Sequence, residues 1–328
     1  MPKKENVGTF VWRLVYPILI FVGVEMAIEM AALYIHMFRI AASRGMSLMD
    51  VNALEEELTN YTYNISMYIT IARSAVLIPL YIMFMRRDKG RSMINGSYTK
   101  YEKLSPKWFL LLPVVGFFAA MGFNHVVPMV LMAVQGFIQV VGRSFFGVDW
   151  NVDFFGTYDN VSEMIYSGGI AVQIISTAVA APIVEEFLFR GLIYNRLRER
   201  MKFVPAALVS ALVFGALHGN AVQFLYAFII GLLLAFVYEK FKTIVAPVIF
   251  HAGANLISVI ITNVMPEEGI GLTTGGYMLL VVAELAVTFL ILWLIDRKVI
   301  RKPVAADGTD GSRRGYYEKN FVSCSTML

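Results

Sequence analysis

Several ionisable side chains stand where the chain is otherwise apolar: Glu25, Glu29, His36, Arg73, Glu185, Glu186, Arg190, His218, His251 and Glu284. A charged side chain at the centre of a bilayer costs about 2.5–3.5 kcal/mol on insertion scales, so each calls for a partner, a water-filled cavity or a function. The densest group is the segment APIVEEFLFRGLIYNRLRER, residues 181–200. On a helix Glu186 and Arg190 are four residues apart, share a face and can form an ion pair. Glu185 is rotated by about 100° from that face, so Arg190 satisfies it less well. A desolvated carboxylate with no cation of its own is the kind of group that serves as a general base near neutral pH. The other reading of this segment stays open: both glutamates neutralise Arg190 and nearby cations as a folding clamp.

Two further segments carry imidazoles. In FGALH, Phe214 and His218 are four apart, so the aromatic ring can pack on the imidazole and fix it. In HAGAN, His251 and Asn255 share a face at the same spacing. Pro247, Ala252, Gly253 and Ala254 permit another helix to approach closely. A lone intramembrane histidine is often only an interhelical hydrogen bond. Two of them, following a double glutamate on neighbouring apolar segments, point to one shared site. Glu25 and Glu29 make one acidic face, for which pairing with Arg73 is expected ahead of catalysis. His36 and His125 fall near membrane boundaries and receive no role; Glu284 is isolated and unexplained.

The elements that must carry these residues follow from composition. Of 328 residues, 58% are hydrophobic and 16% charged, whereas a soluble domain carries about 25% charged. A water-soluble surface could not be built from this chain. Crossing a hydrocarbon core takes about 20 helical residues, and the apolar runs predict about eight spans, near 9–40, 65–85, 108–141, 168–195, 203–218, 221–238, 244–264 and 277–296. The first and third are over-long, and Asn124 to Pro128 is a candidate break in the third. Cations cluster after the even-numbered spans, at 86–91, 196–202, 239–242 and 296–302, while the opposite segments are acidic at 55–57, 149–163 and 267–268 and uncharged at Gly219–Asn220. The positive-inside rule then puts both termini in the cytoplasm. The modest net charge of +4 is spent on topology and gives no nucleic-acid surface. The single cysteine, Cys324, excludes an intrachain disulfide. At 1.5 Å per residue, Glu185 lies about 16 Å from Arg196, His251 about 10 Å from Ile244 and His218 about 22 Å from Phe203, so a shared site inside the bilayer is feasible.

EEFLFR, FGALH and HAGAN, in that order, resemble the E-E-x-x-x-R, F-x-x-x-H and H-x-x-x-N motifs of the CAAX protease and bacteriocin-processing (CPBP, or Abi) family, which includes the type II CAAX prenyl endopeptidases. The resemblance covers about 170–262. It implies an all-α, polytopic membrane bundle and an intramembrane endopeptidase acting on a membrane-associated or lipidated protein or peptide. Glu185 resembles the base that activates water, with His218 helping. His251 and Asn255 resemble the oxyanion-binding pair; Glu186, Arg190 and Phe214 look like residues that shape the site. Glu185, His218 and His251 could instead supply a zinc site with one open position. Asn255 is a poor zinc ligand and a good oxyanion donor, so the expectation is no cofactor, with zinc as the alternative.

The implied organisation is 1–167, N-terminal membrane helices and loops; 168–264, catalytic core; 265–302, a C-terminal membrane helix; and 303–328, a flexible polar tail. The expected partners are the lipid bilayer and a peptide or protein substrate arriving from the membrane or the cytoplasmic side. The implied location is the cell membrane, as a multi-pass protein of a bacterial cytoplasmic membrane. A non-enzymatic peptide-binding or bacteriocin-immunity protein of the same fold is the competing expectation. A proton-coupled transporter is a third, without an inverted repeat to support it.

Overall fold

The computed structural model describes residues 5–44, 55–94, 99–166, 168–264, 271–300 and 302–304. Cys324, the tail beyond 304, Lys3, Lys4 and the acidic pair at 267–268 lie outside them.

Among the described residues the chain forms nine helices and no strand. They are α1 (Val7–Arg44), α2 (Glu55–Ile94), α3 (Leu111–Val141), α4 (Gly156–Tyr166), α5 (Ile170–Arg198), α6 (Phe203–Ala216), α7 (Ala221–Phe241), α8 (Val245–Val264) and α9 (Thr274–Lys298). Seven are long and apolar enough to cross a bilayer, all but α4 and α6. The chain is a multi-pass membrane helical bundle. Large apolar side chains such as Trp12, Met30, Phe137 and Leu279 are exposed on its outside, as a hydrocarbon solvent permits.

The sequence counted about eight spans, and the difference lies in α6. Its 14 residues reach about 21 Å, short of a hydrocarbon core of about 30 Å. It forms a tight hairpin with α7, whose first turn Asn220 caps by accepting from the Gln223 N–H at 2.8 Å. The break expected between Asn124 and Pro128 does not occur: α3 runs unbroken through Pro128. The helix is clamped along its length by α8 and α9, and such packing lets a membrane helix keep its course past one missing hydrogen bond. The same holds for Pro17 in α1 and Pro79 in α2. The Tyr81 hydroxyl donates to the Pro17 carbonyl at 2.9 Å and ties those two helices together.

One end of the bundle gathers the cationic segments. Arg13 bonds Glu5 and Glu199, Arg196 bonds Asp88 at 2.7 Å, and Arg198 and Lys242 share Glu239. Lys240 pairs with Asp296. The starts of α1, α6 and α8 and the ends of α2, α5, α7 and α9 therefore lie together, as the charge alternation requires. A bridge between Tyr101 and Pro303 closes the same end. Burial at Glu5 opposes ionisation, but hydrogen bonds and charge from Arg13, with Arg91, outweigh it and hold its carboxyl below the ordinary range.

Candidate active site

The site is built on α5, α6 and α8. α5 is one continuous helix with two wide, π-type stretches, Ile174–Ala180 and Phe187–Tyr194, on either side of the short α-helical turn that carries the paired glutamates. Widened turns of this kind recur at functional sites. Here one has a local cause. The Ala181 N–H bonds the Ser176 carbonyl, so the next carbonyl, that of Thr177, would in this register need the N–H of residue 182. Residue 182 is proline and has none. The side-chain amide of Asn255, on α8, takes that carbonyl at 2.8 Å. A proline in α5 thus sets the position of an asparagine on another helix.

The two glutamates separate as helical phase requires. Glu186 and Arg190 are fully buried and bond at 2.8 Å. Arg190 also donates to the Gly231 carbonyl at 2.9 Å and lies over the Phe214 ring. Glu185 makes no hydrogen bond to this arginine and lines a cavity of about 1120 Å³. His251 connects the pair: its Nδ1 meets Glu186 Oε1 at 2.9 Å, and its Nε2 faces Glu185 Oε2 at 3.8 Å. The imidazole is thereby fixed on one side and directed by the other towards the cavity, the orientation that a carboxylate gives a working histidine.

His218 lies just beyond the end of α6. Its Nδ1 contacts the Phe214 carbonyl at 2.9 Å, which leaves Nε2 for the cavity. The Phe214 ring stands edge-on to both imidazoles, with centroids 5.1 Å from His218 and 5.8 Å from His251, and against Phe189 at 4.8 Å. Glu185, Phe214, His218, His251 and Asn255 all line the same cavity, and Glu186 and Arg190 stand directly behind it. The structure therefore brings together all seven residues singled out in the sequence.

The donor types would suit zinc. Among the described residues, however, no three His, Cys, Asp or Glu side chains stand together as a set that could hold a metal ion.

The remaining polar residues find partners, one pair expected from the sequence and one not. Arg73 pairs with Glu25 on the cavity wall and lies over Phe21. His125 and Glu284, assigned nothing from sequence, bond to each other at 2.9 Å across α3 and α9. The short helix α4 was missed altogether. It places Tyr158, Val161, Ser162, Ile165 and Tyr166 on the cavity, positions that fall on one helical face. Asp153, which accepts from the N–H groups of Phe155 and Gly156, caps its start. That capping residue followed by the apolar stripe was the available signal. The cavity continues from Glu185, His218 and His251 past Ser66 and Thr62 towards Tyr277, away from the cationic end of the bundle.

Residues 167–257 match the family model described as type II CAAX prenyl endopeptidase Rce1-like. This segment of the chain is similar to that family. A Bacillus subtilis (strain 168) protein whose name describes a membrane peptidase, YdiL, is 33% identical over 91 residues, 28% of this chain and 37% of the relative. The membrane-embedded CAAX protease MroQ of Staphylococcus aureus (strain USA300) is 24% identical over 180 residues, 53% of this chain and 66% of the relative. The chain thus spans about a third and just under two thirds of these relatives. No solved structure matches it. The matched segment contains α5 to most of α8, and with them every residue of the site above.

Proposed function

We propose that this chain is an intramembrane endopeptidase that hydrolyses a peptide bond in a membrane-associated or lipidated protein or peptide. The observation that carries the reading is the confrontation of Glu185 with His251 Nε2 on a cavity that His218 and Asn255 also line. The match to a peptidase family over the same residues supports it. In this reading Glu185 takes a proton from a water molecule that His218 orients, and the hydroxide adds to the scissile carbonyl carbon. The oxyanion is met by His251 Nε2 and the second amide proton of Asn255, whose first is held by Thr177. Glu185 returns the proton to the departing amine, which breaks the C–N bond. With Nδ1–H donated to Glu186, His251 Nε2 donates only when the ring carries both protons, and the Glu185, Glu186, Arg190 and His251 quartet is then neutral. Positioned donors of this kind contribute about 2.7–4 kcal/mol each to lowering such barriers.

No step of this scheme passes through a metal. We place the cationic end of the bundle in the cytoplasm by the positive-inside rule and the chain in a bacterial cytoplasmic membrane, a reading supported by two bacterial relatives whose names describe membrane proteins. Substrate then reaches the site from the bilayer, where α1 forms the cavity wall with Phe21, Glu25 and Glu29. The continuation of the cavity away from the cationic end speaks against the cytoplasmic route also expected from sequence.

Cleavage of dye-and-quencher-labelled transmembrane peptides by the purified protein tests the proposal. The comparison is between native protein, Glu185→Ala and His218→Ala, each with and without chelator. Equal cleavage by Glu185→Ala refutes the mechanism. Loss on chelation with recovery on adding zinc refutes its metal-free form. Peptide binding without cleavage by native protein favours the non-enzymatic alternative.

A further inference from the structure

A second set of ionisable side chains stands in the far part of the cavity. His125 of α3 and Tyr277 of α9 both line it, with their rings edge-on at 5.1 Å. His125 is held by Glu284 of α9, whose Oε2 meets its Nδ1 at 2.9 Å. The two halves of this pair are placed differently. The Glu284 side chain is 5% exposed and that of His125 is 21% exposed, and of the two only His125 reaches the cavity. Its Nε2 takes no partner among the described residues and keeps accessible surface.

A carboxylate behind an imidazole fixes the ring and decides what its other nitrogen does. No Lys or Arg among the described residues pairs with Glu284, and an uncompensated buried carboxylate is costly. One proton added to the pair makes it neutral. Whether that proton sits on Nδ1 or on Oε2, Nε2 then carries a hydrogen and faces the cavity as a donor. The pair also stands at a defined distance from the proposed reaction centre. α3 packs on α8 at Gly116 and Ala120, beside Ala254, the neighbour of Asn255. His125 is five residues further along α3, about 7 Å past that level at 1.5 Å per residue. An extended peptide advances about 3.3 Å per residue, so about two residues cover the interval. Each residue of such a peptide offers a backbone carbonyl that no helix satisfies.

We infer that His125 is a substrate-binding residue, whose Nε2–H donates to a backbone carbonyl of the bound peptide about two residues from the scissile bond. Glu284 is the residue that positions it. This rests on the peptidase reading above. The specificity supplied is for a segment unwound over that length.

His125→Leu/Glu284→Gln removes the donor without stranding the carboxylate. His125→Gln/Glu284→Gln differs from it at one side chain and puts an amide donor back. Both are made in the Glu185→Gln background, and binding of a labelled 20-residue transmembrane peptide is measured in detergent beside the melting temperature. The leucine variant is expected to bind about tenfold more weakly, between the shares of a neutral and a charge-assisted hydrogen bond, and the glutamine variant to recover most of the loss. With Glu185 restored, the same pattern is expected in KM, with kcat retained. A pair that only clamps α3 to α9 would lower the melting temperature and leave affinity equal. That result, with native protein still cleaving the peptide, overturns the role of His125 and leaves the peptidase reading standing. Equal weakening by the leucine and glutamine variants overturns the hydrogen bond. A fall in kcat at constant KM moves the contact to the transition state and overturns ground-state binding. Absence of cleavage by native protein, with binding lost and recovered as expected, overturns the peptidase reading alone; absence of any binding overturns both.

Discussion

Replacing Glu186 by glutamine, set beside the same change at Glu185, separates the two glutamates most sharply. Glutamine keeps the volume and one acceptor oxygen, removes the charge and turns the other oxygen into an amide donor. At Glu186 that leaves the Arg190 guanidinium, itself 0% exposed, with no anion at hydrogen-bonding distance and only the Gly231 carbonyl and aromatic faces around it. Breaking one side of a buried pair costs about 3–5 kcal/mol, because the surviving charge is stranded in a medium that cannot solvate it. The same change weakens the hold on His251 Nδ1. At Glu185 the side chain is 16% exposed, reaches the cavity, and faces His251 Nε2 at 3.8 Å. Its loss should alter stability by about 1 kcal/mol or less, the scale of one hydrogen bond. It should lower turnover by about 10²–10⁴, the usual contribution of general acid–base catalysis. The assay is thermal unfolding in detergent followed by tryptophan fluorescence, run in parallel with peptide cleavage on the same preparations. Glu186→Gln should fail in both measurements and Glu185→Gln only in the second. A Glu185→Gln protein that melts as early as Glu186→Gln would refute the division of labour between them.

Other expectations follow from single contacts. Asn255→Ala removes an amide donor and the side-chain partner of the Thr177 carbonyl, and should lower kcat by about 10²–10³ with little change in KM, measured on the same peptide. Gly116→Ala and Gly253→Ala should each destabilise the bundle by about 1–3 kcal/mol in thermal unfolding. A Cβ at Gly116 would meet the Phe250 carbonyl oxygen at 2.2 Å, and one at Gly253 would meet Pro113 Cα at 2.6 Å, so α3 and α8 would have to separate at the helix that carries His251. A native-like melting temperature for either variant would show that the crossing is looser than this. Glu5, held below its ordinary value of 4.5, contributes stability that is present above that value and is lost as pH falls through the lower folded one. Acid melting curves of native protein should therefore converge with those of Glu5→Gln below that range; curves that stay apart refute the assignment.

How much of this was legible in the sequence depends on whether a residue's partner is local. The Glu186–Arg190 pair and the rotation of Glu185 away from it follow from 3.6 residues per turn, and both are seen. The Phe214–His218 contact is equally local. The long apolar helices were visible because hydrocarbon requires a length that composition reveals. What failed was set by other helices. Pro128 reads as a break in isolation, yet α3 runs on through it, packed against α8 and α9. Residues 203–218 read as a span by hydropathy, but the helix ends at Ala216, and the Asn220-capped turn into α7 leaves His218 beside the cavity. His125 and Glu284 are 159 residues apart, and no periodicity connects them.

The Asn255–Thr177 bond marks the boundary between the two kinds of information. Its cause, Pro182, is in plain view within the motif segment, yet it acts only through the wide register of α5, in which Ala181 reaches back to Ser176. Had α5 been regular, the Ala181 N–H would have taken the Thr177 carbonyl and Asn255 would have lost its anchor. The asparagine is thus positioned by a backbone defect next to the glutamates, which places the proposed base and the proposed oxyanion donor under control of the same distorted helix. A substitution that regularises α5, such as Pro182→Ala, is then expected to lower kcat through Asn255 without touching any group that meets the substrate. Its signature is non-additivity: Pro182→Ala should have little further effect on kcat in the Asn255→Ala background. Fully additive losses would mean that the proline acts elsewhere.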